Sequence, residues 1–375
     1  MYLQAELSAV FSHIYLRVIC VNNYKIGVIF TALGAVSFGV MFFFQPDVMI
    51  SGLRKGLTVC GSSVIPSLFP FMVVSDFLVR SGFSSVAGRK LAPVTQTVFR
   101  LSGAAGCAII MSLIGGFPVG AKMTAQLYEN GEITQRQGRR MLLFCVNAGP
   151  AFVIGTVGTV MLSSRRAGLV LFISLTVTSL FIGVLSAFFD KKPNEKIINE
   201  NKKFTENFNA GVIAESVNVS VQVILSICGW ILLFSGLNAF ILHLPFRAAI
   251  PWLIMLTEVT NGCLEASSRF PACVLALVLG WSGMAVHCQL LPYLDALEMK
   301  LSHFWTGRLI AGGLATAVAY LLFKLFPCEV SVFSSAAQIT AAPYSVSAPA
   351  AAAMLVLSAV MLLDIKSCVN KKGVI

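Results

Sequence analysis

The sequence predicts an all-α polytopic membrane protein of about eight transmembrane helices plus two re-entrant hairpins, arranged as an inverted repeat. Three observations predict it. Of 375 residues, 57% are hydrophobic and 11% charged, with a mean hydropathy of +0.84, and several uncharged runs reach the ~20 residues that cross a bilayer. Two further apolar stretches carry helix breakers at their centres. The Lys and Arg residues, finally, sit where only one topology agrees with the positive-inside rule.

Along the chain, residues 1–25 read as an amphipathic cytoplasmic leader, because Glu6, His13 and Arg17 break up the apolar stretches that a secretory signal would need. Residues 26–365 form a single transmembrane domain. Within it, apolar length and polar flanks place spans at 26–44, 62–79, 141–162, 167–189, 212–242, 270–292, 304–326 and 346–365. The first repeat covers about 62–189 and the second about 212–326, with 346–365 as a final helix. Between the repeats, the polar segment 190–209 (DKKPNEKIINENKKFTENFN) is a solvated cytoplasmic linker, and 366–375 is a cytoplasmic tail.

Two apolar stretches remain, 101–121 with "LIGGFPVGAK" and 248–266 with "LTEVTNGCLE". Suppose that each enters and leaves on one side and that the N-terminus is cytoplasmic. Nineteen of the 27 Lys and Arg then lie inside and six outside, with Lys122 and Lys324 in or beside membrane elements. A spanning 101–121 would invert every later segment and leave ten inside and fifteen outside. The positive-inside rule rejects that. Residues 101–114 are therefore a half-helix: fourteen residues reach only about 21 Å into a core of about 30 Å. Gly115, Gly116 and Gly120 permit the turn, and Pro118 can open the returning helix. The second stretch has both flanking arginines, Arg247 and Arg269, outside, so the two hairpins enter from opposite faces. Similar elements in the same order with opposite entry make an inverted repeat.

Unpaired backbone at membrane depth is tolerated only where protein or a polar cavity covers it. Four constellations mark such a cavity and form the expected substrate site. Gly115, Gly116, Pro118 and Gly120 with Lys122 make the first tip, and Asn147, Gly149 and Pro150 interrupt the next span. Glu258, Thr260 and Asn261 make the second tip, and Ser282 and Gly283, with His287 and Gln289, interrupt the span after it. An acidic group in an apolar stretch costs about 2.5–3.5 kcal/mol on insertion scales, so Glu258 either couples an ion or binds substrate, or reaches interfacial water. His287 either faces the cavity or bonds a neighbouring helix carbonyl, and Asn147 either faces the cavity or ties helices together. Lys122 either neutralises an anionic substrate or snorkels to the surface.

Other classes fit poorly. The net charge of +11 belongs to membrane flanks rather than to a nucleic-acid site. Gly115 and Gly120 have the spacing of a phosphate loop, but Ala121 intervenes before Lys122 and no strand precedes. Ten cysteines are scattered singly, which signals neither a disulfide framework nor a metal site. No paired carboxylates or Ser–His spacing suggest an enzyme, so no catalytic residue and no cofactor is expected.

With these motifs placed, "IGGFPVGAK", "NAGPAF" followed by "GTVGTVML", "LTEVTNG" and "GWSGMAVHCQ" resemble the Gate-domain (nucleoside-recognition) membrane family, and within it the branch of sporulation integral membrane proteins. The resemblance covers roughly residues 26–365. It implies a fold similar to concentrative nucleoside transporters. For the sporulation branch it implies movement of dipicolinate out of the mother-cell cytoplasm across the outer forespore membrane; the charge count places both termini on the cytoplasmic side. The partners implied are a small anionic substrate and the lipid bilayer, with a coupling ion (H+ or Na+) and a homo-oligomer left open. Two alternatives stand beside it: a nucleoside or other small-solute transporter of the same fold, and a non-transporting sporulation scaffold.

Overall fold

The computed structural model describes residues 39–40, 42–190, 210–244 and 247–328. The expected leader, most of the span at 26–44, the linker from 191 on, the final helix and the tail lie outside the described residues. Among the described residues the architecture is helical, with no strand.

Helix α1 (Pro46–Val59) opens with proline in its first turn, where the missing N–H costs nothing. It continues through a π-turn at Cys60–Val64 into α2 (Ile65–Arg80). The π-turn lies just before Pro66 and Pro70, which withdraw donors from the helical ladder. Gly52 and Gly56 let α1 press onto α8 (Ala210–Ile241): a Cβ at Gly52 would stand 2.6 Å from that of Ala239. Small residues four apart give backbones this close approach. Residues 83–99, to which the sequence reading assigns no element, fold as α3 (Phe83–Val94) and a second π-turn, Thr95–Phe99.

The first leftover stretch forms α4 (Ala105–Gly115), a one-residue break at Gly116, and α5 (Phe117–Glu129). The second forms α9 (Ile250–Thr257), a break at Glu258, and α10 (Val259–Arg269). Each is followed by a discontinuous helix. In the first half α6 (Gln135–Phe144), started by a Thr134–Gln137 capping box, gives way to a π-wound helix, Ala151–Met161. In the second half α11 (Val274–Trp281) gives way to α12 (Gly283–Ala296) at Ser282. The uninterrupted helices are α7 (Arg165–Phe188), capped by Ser164, together with α8 and α13 (Leu301–Leu325).

Among the described residues, four helices are long and apolar enough to cross a membrane: Arg165–Phe188, Gly211–Ile241, Val274–Ala296 and Leu301–Leu325. They fall on the expected spans at 167–189, 212–242, 270–292 and 304–326. Phe181, Leu225, Ile310 and Leu321 project outward from three of them, a surface suited to hydrocarbon. Among the described residues the buried core has two main centres, beside a small cluster of Ile241, Ile250 and Ile254. One, around Leu142, Leu279 and Phe304, joins α6 and α7 to the second-half helices, and the other, around Met72, Met123 and Phe144, joins α2, α4, α5 and α8.

Candidate functional site

The two tips meet in one cavity. Gly115, Gly116, Phe117, Pro118 and Gly149 line it from the first half, and Glu258, Thr260 and Gln289 from the second. Leu68, Phe152, Ile227 and Ile231 make the rest of its wall largely apolar. Gly116 holds φ at +89°, in the range that favours glycine, and a Cβ there would stand 3.1 Å from Leu68 and 3.4 Å from the Gly149 nitrogen. The first tip therefore abuts the break of its own half. The second does the same, since a Cβ on Gly283 would lie 2.9 Å from the Val259 nitrogen.

At the second tip the Glu258 carboxylate caps its own helix, with one oxygen accepting from the Thr260 N–H and the other from the Asn261 N–H, both at 2.8 Å. The side chain is buried, and its carboxylate is satisfied by the backbone of the helix it begins. The corresponding start of α5 carries no side-chain cap, and neither does Ala151–Met161. Pro118 and Pro150 carry no N–H, and those of Val119, Phe152 and Val153 are taken by the Gly116 and Gly149 carbonyls, so these two helix starts offer the first-half side of the cavity chiefly the positive ends of their dipoles, which favour negative charge.

Carbonyls at three of the breaks are satisfied by side chains. Asn147 Nδ2 donates to the Phe144 carbonyl at 2.7 Å and to Ser179 Oγ at 3.0 Å, so Asn147 ties α6 to α7. Trp281 Nε1 donates to the Leu256 carbonyl at 3.1 Å. His287 Nε2 lies 2.8 Å from the Trp281 carbonyl, which requires its proton on Nε2, and the ring sits edge-on to Trp281 and Phe304. His287 therefore closes the second break and does not line the tip cavity. Ser282 has φ +76°, a left-handed conformation uncommon outside glycine.

Of the expected site residues, the cavity brings together Gly115, Gly116, Pro118, Gly149, Glu258, Thr260 and Gln289. Gly120 instead packs against the Cys145 carbonyl, Pro150 precedes the π-wound helix, and Asn261 contributes its backbone N–H. Lys122 is buried in an ion pair with Asp76 of α2 at 2.8 Å, and Asp76 also accepts from Gln126 and Arg80. Neither reading of Lys122 anticipated this partner.

Sequence reasoning missed Asp76 and Arg308. Arg308, on α13, is 3% exposed and joins the halves: it donates to the Val146 carbonyl at 2.7 Å and to Ser282 Oγ at 2.8 Å. Both could have been found by the rule that singles out Glu258, a charge inside an apolar run. By position alone, Arg308 passes for one of the cytoplasmic flanks and Asp76 for the end of a span.

Membrane-length apolar helices, together with broken helices and hairpin tips converging on a buried cavity, define an all-helical integral membrane protein with an internal site. Residues 62–192 match the family model described as Gate, nucleoside recognition. The chain is similar to the sporulation integral membrane protein YlbJ of Bacillus subtilis (strain 168), 24% identical over 321 residues, which cover 75% of this chain and 79% of that protein. No solved structure matches the chain. The family match contains the first two of the four sequence motifs, and the likeness to the sporulation protein agrees with the resemblance that all four carry.

Proposed function

We propose that the protein is a secondary-type transporter of a small anionic metabolite, most simply dipicolinate leaving the mother-cell cytoplasm across the outer forespore membrane during sporulation. The observation that carries this reading is the convergence of both tips on one cavity. A scaffold has little use for breaks that leave backbone groups facing a buried cavity, each of which would cost stability without a ligand or water to satisfy it. The uncapped starts of α5 and Ala151–Met161 would receive a carboxylate, and Phe117, Phe152 and Ile231 offer apolar walls for a planar ring.

In this reading the two helix pairs are re-entrant hairpins of an inverted repeat within a domain of about 26–365. The contacts between helix ends support the topology that the charge distribution requires. Arg139 meets Glu298 and Arg140 meets Asp190, and all four belong to segments expected on the cytoplasmic side. A specific observation favours a second substrate class. Glu258, Thr260 and Gln289 line the same cavity, polar residues of the kind that hydrogen-bond a nucleoside.

Purified protein in liposomes, offered labelled dipicolinate and uridine in parallel, tests the proposal. Saturable dipicolinate uptake above that of empty liposomes is expected. Uptake of uridine alone would give the site to the nucleoside reading, and uptake of neither would remove the transporter.

A further inference from the structure

Arg308 is a buried cation without a counter-charge. Among the described residues no ion pair includes it. Two of its nitrogens are spent on the Val146 carbonyl and on Ser282 Oγ, both neutral acceptors, and its Nε has no partner. A guanidinium removed from water in this way is stable only with compensation, because neutral acceptors do not replace the attraction of an opposite charge.

Arg308 lines a small cavity, separate from the cavity between the tips, together with Asn147, Thr178 and Ser179. No acidic residue lines it. Thr178 is buried and its hydroxyl has no partner, so a second donor stands free in the same wall. Asn147 and Ser179 are already bonded to each other and to the Phe144 carbonyl. At about 10 Å³ the space suits one particle near the size of a water molecule, too little for an aromatic dicarboxylate.

We infer that this pocket is a site for one small inorganic anion of halide size, held by Arg308 and the Thr178 hydroxyl at the junction of the two broken helices. Such an anion neutralises Arg308 where it grips Val146 of the first break and Ser282 of the second. Its binding then stabilises the arrangement of both halves, apart from anything bound between the tips.

The experiment is thermal unfolding of the purified full chain in detergent, at constant ionic strength, with chloride or bromide exchanged against gluconate. A saturable rise in Tm with chloride and with bromide is expected, since a ligand that binds only the folded state stabilises it by mass action. Gluconate, too large for the cavity, gives none. Thr178→Val removes one donor and leaves the charge, so its half-maximal chloride concentration is expected to rise roughly tenfold, the scale of one hydrogen bond to a charged group. Arg308→Gln is expected to lose the response altogether. If that variant does not fold, Thr178→Val still decides the matter. Equal melting in all three salts, or an unaltered chloride response in Thr178→Val, overturns the site. The readout involves no transport, so it stands or falls separately from the uptake assay.

Discussion

At Glu258 the cost of burying a carboxylate is offset by the N–H groups of the helix it begins. Both oxygens are engaged, so the residue acts first as a helix cap. Glu258→Ala is expected to lower stability by about 1–2 kcal/mol, the range for losing a strong N-cap, as read from unfolding in detergent. Glu258→Gln keeps one acceptor and is expected to fall between the two; an Ala variant as stable as wild type would contradict the capping role. The sequence made Glu258 legible because a lone acid stands out in an apolar stretch. It could not show that the carboxylate turns back on its own backbone, since that depends on the extended conformation at the break. Arg308 shows the opposite failure. Grouping it with the cytoplasmic cations suits a charge near a helix end, but α13 packs so that this turn lies under both breaks.

Among the elements, the breaks in the apolar helices were the most legible, because glycine, proline and asparagine interrupt apolar runs that otherwise have no reason to stop. The break at Gly116 and the pauses at Asn147 and Ser282 fall where those residues place them. The helices at 46–59 and 83–99 were less so: short, with mixed polarity, they declare themselves only through packing, as Gly52 and Gly56 do against α8. The partner of Lys122 was hidden for the same reason, since pairing with Asp76 joins α2 to α5 across distant sequence. This buried pair gives a sharp expectation. Asp76→Leu strands the buried Lys122 charge, which has no other ion-pair partner among the described residues, and is expected to cost about 3–5 kcal/mol, whereas adding Lys122→Met recovers most of that loss. Unfolding of the single and double variants measures it. A single variant that melts with wild type would show that the pair contributes nothing.

For the whole molecule, the charge distribution and the contacts between helix ends make the same claim about sidedness. On a background with the native cysteines replaced, Glu129→Cys and Glu298→Cys are expected to react with a membrane-impermeant thiol reagent from the cytoplasmic side, and Ser268→Cys from the other. Reaction of Glu129→Cys and Ser268→Cys from one side would mean that the hairpins do not enter from opposite faces. That the chain is a helical membrane protein was legible in its composition and apolar run lengths, but the meeting of the tips was not, because it is made by contacts between segments far apart in sequence. That meeting is the centre of the account, and one measurement tests it most directly: dipicolinate uptake into proteoliposomes by wild type and by Gly116→Leu, with both confirmed as folded. A branched side chain at φ +89° can neither follow the turn nor leave the cavity open. The account predicts saturable uptake by wild type and none above empty liposomes by the variant, and equal uptake by the two would contradict it.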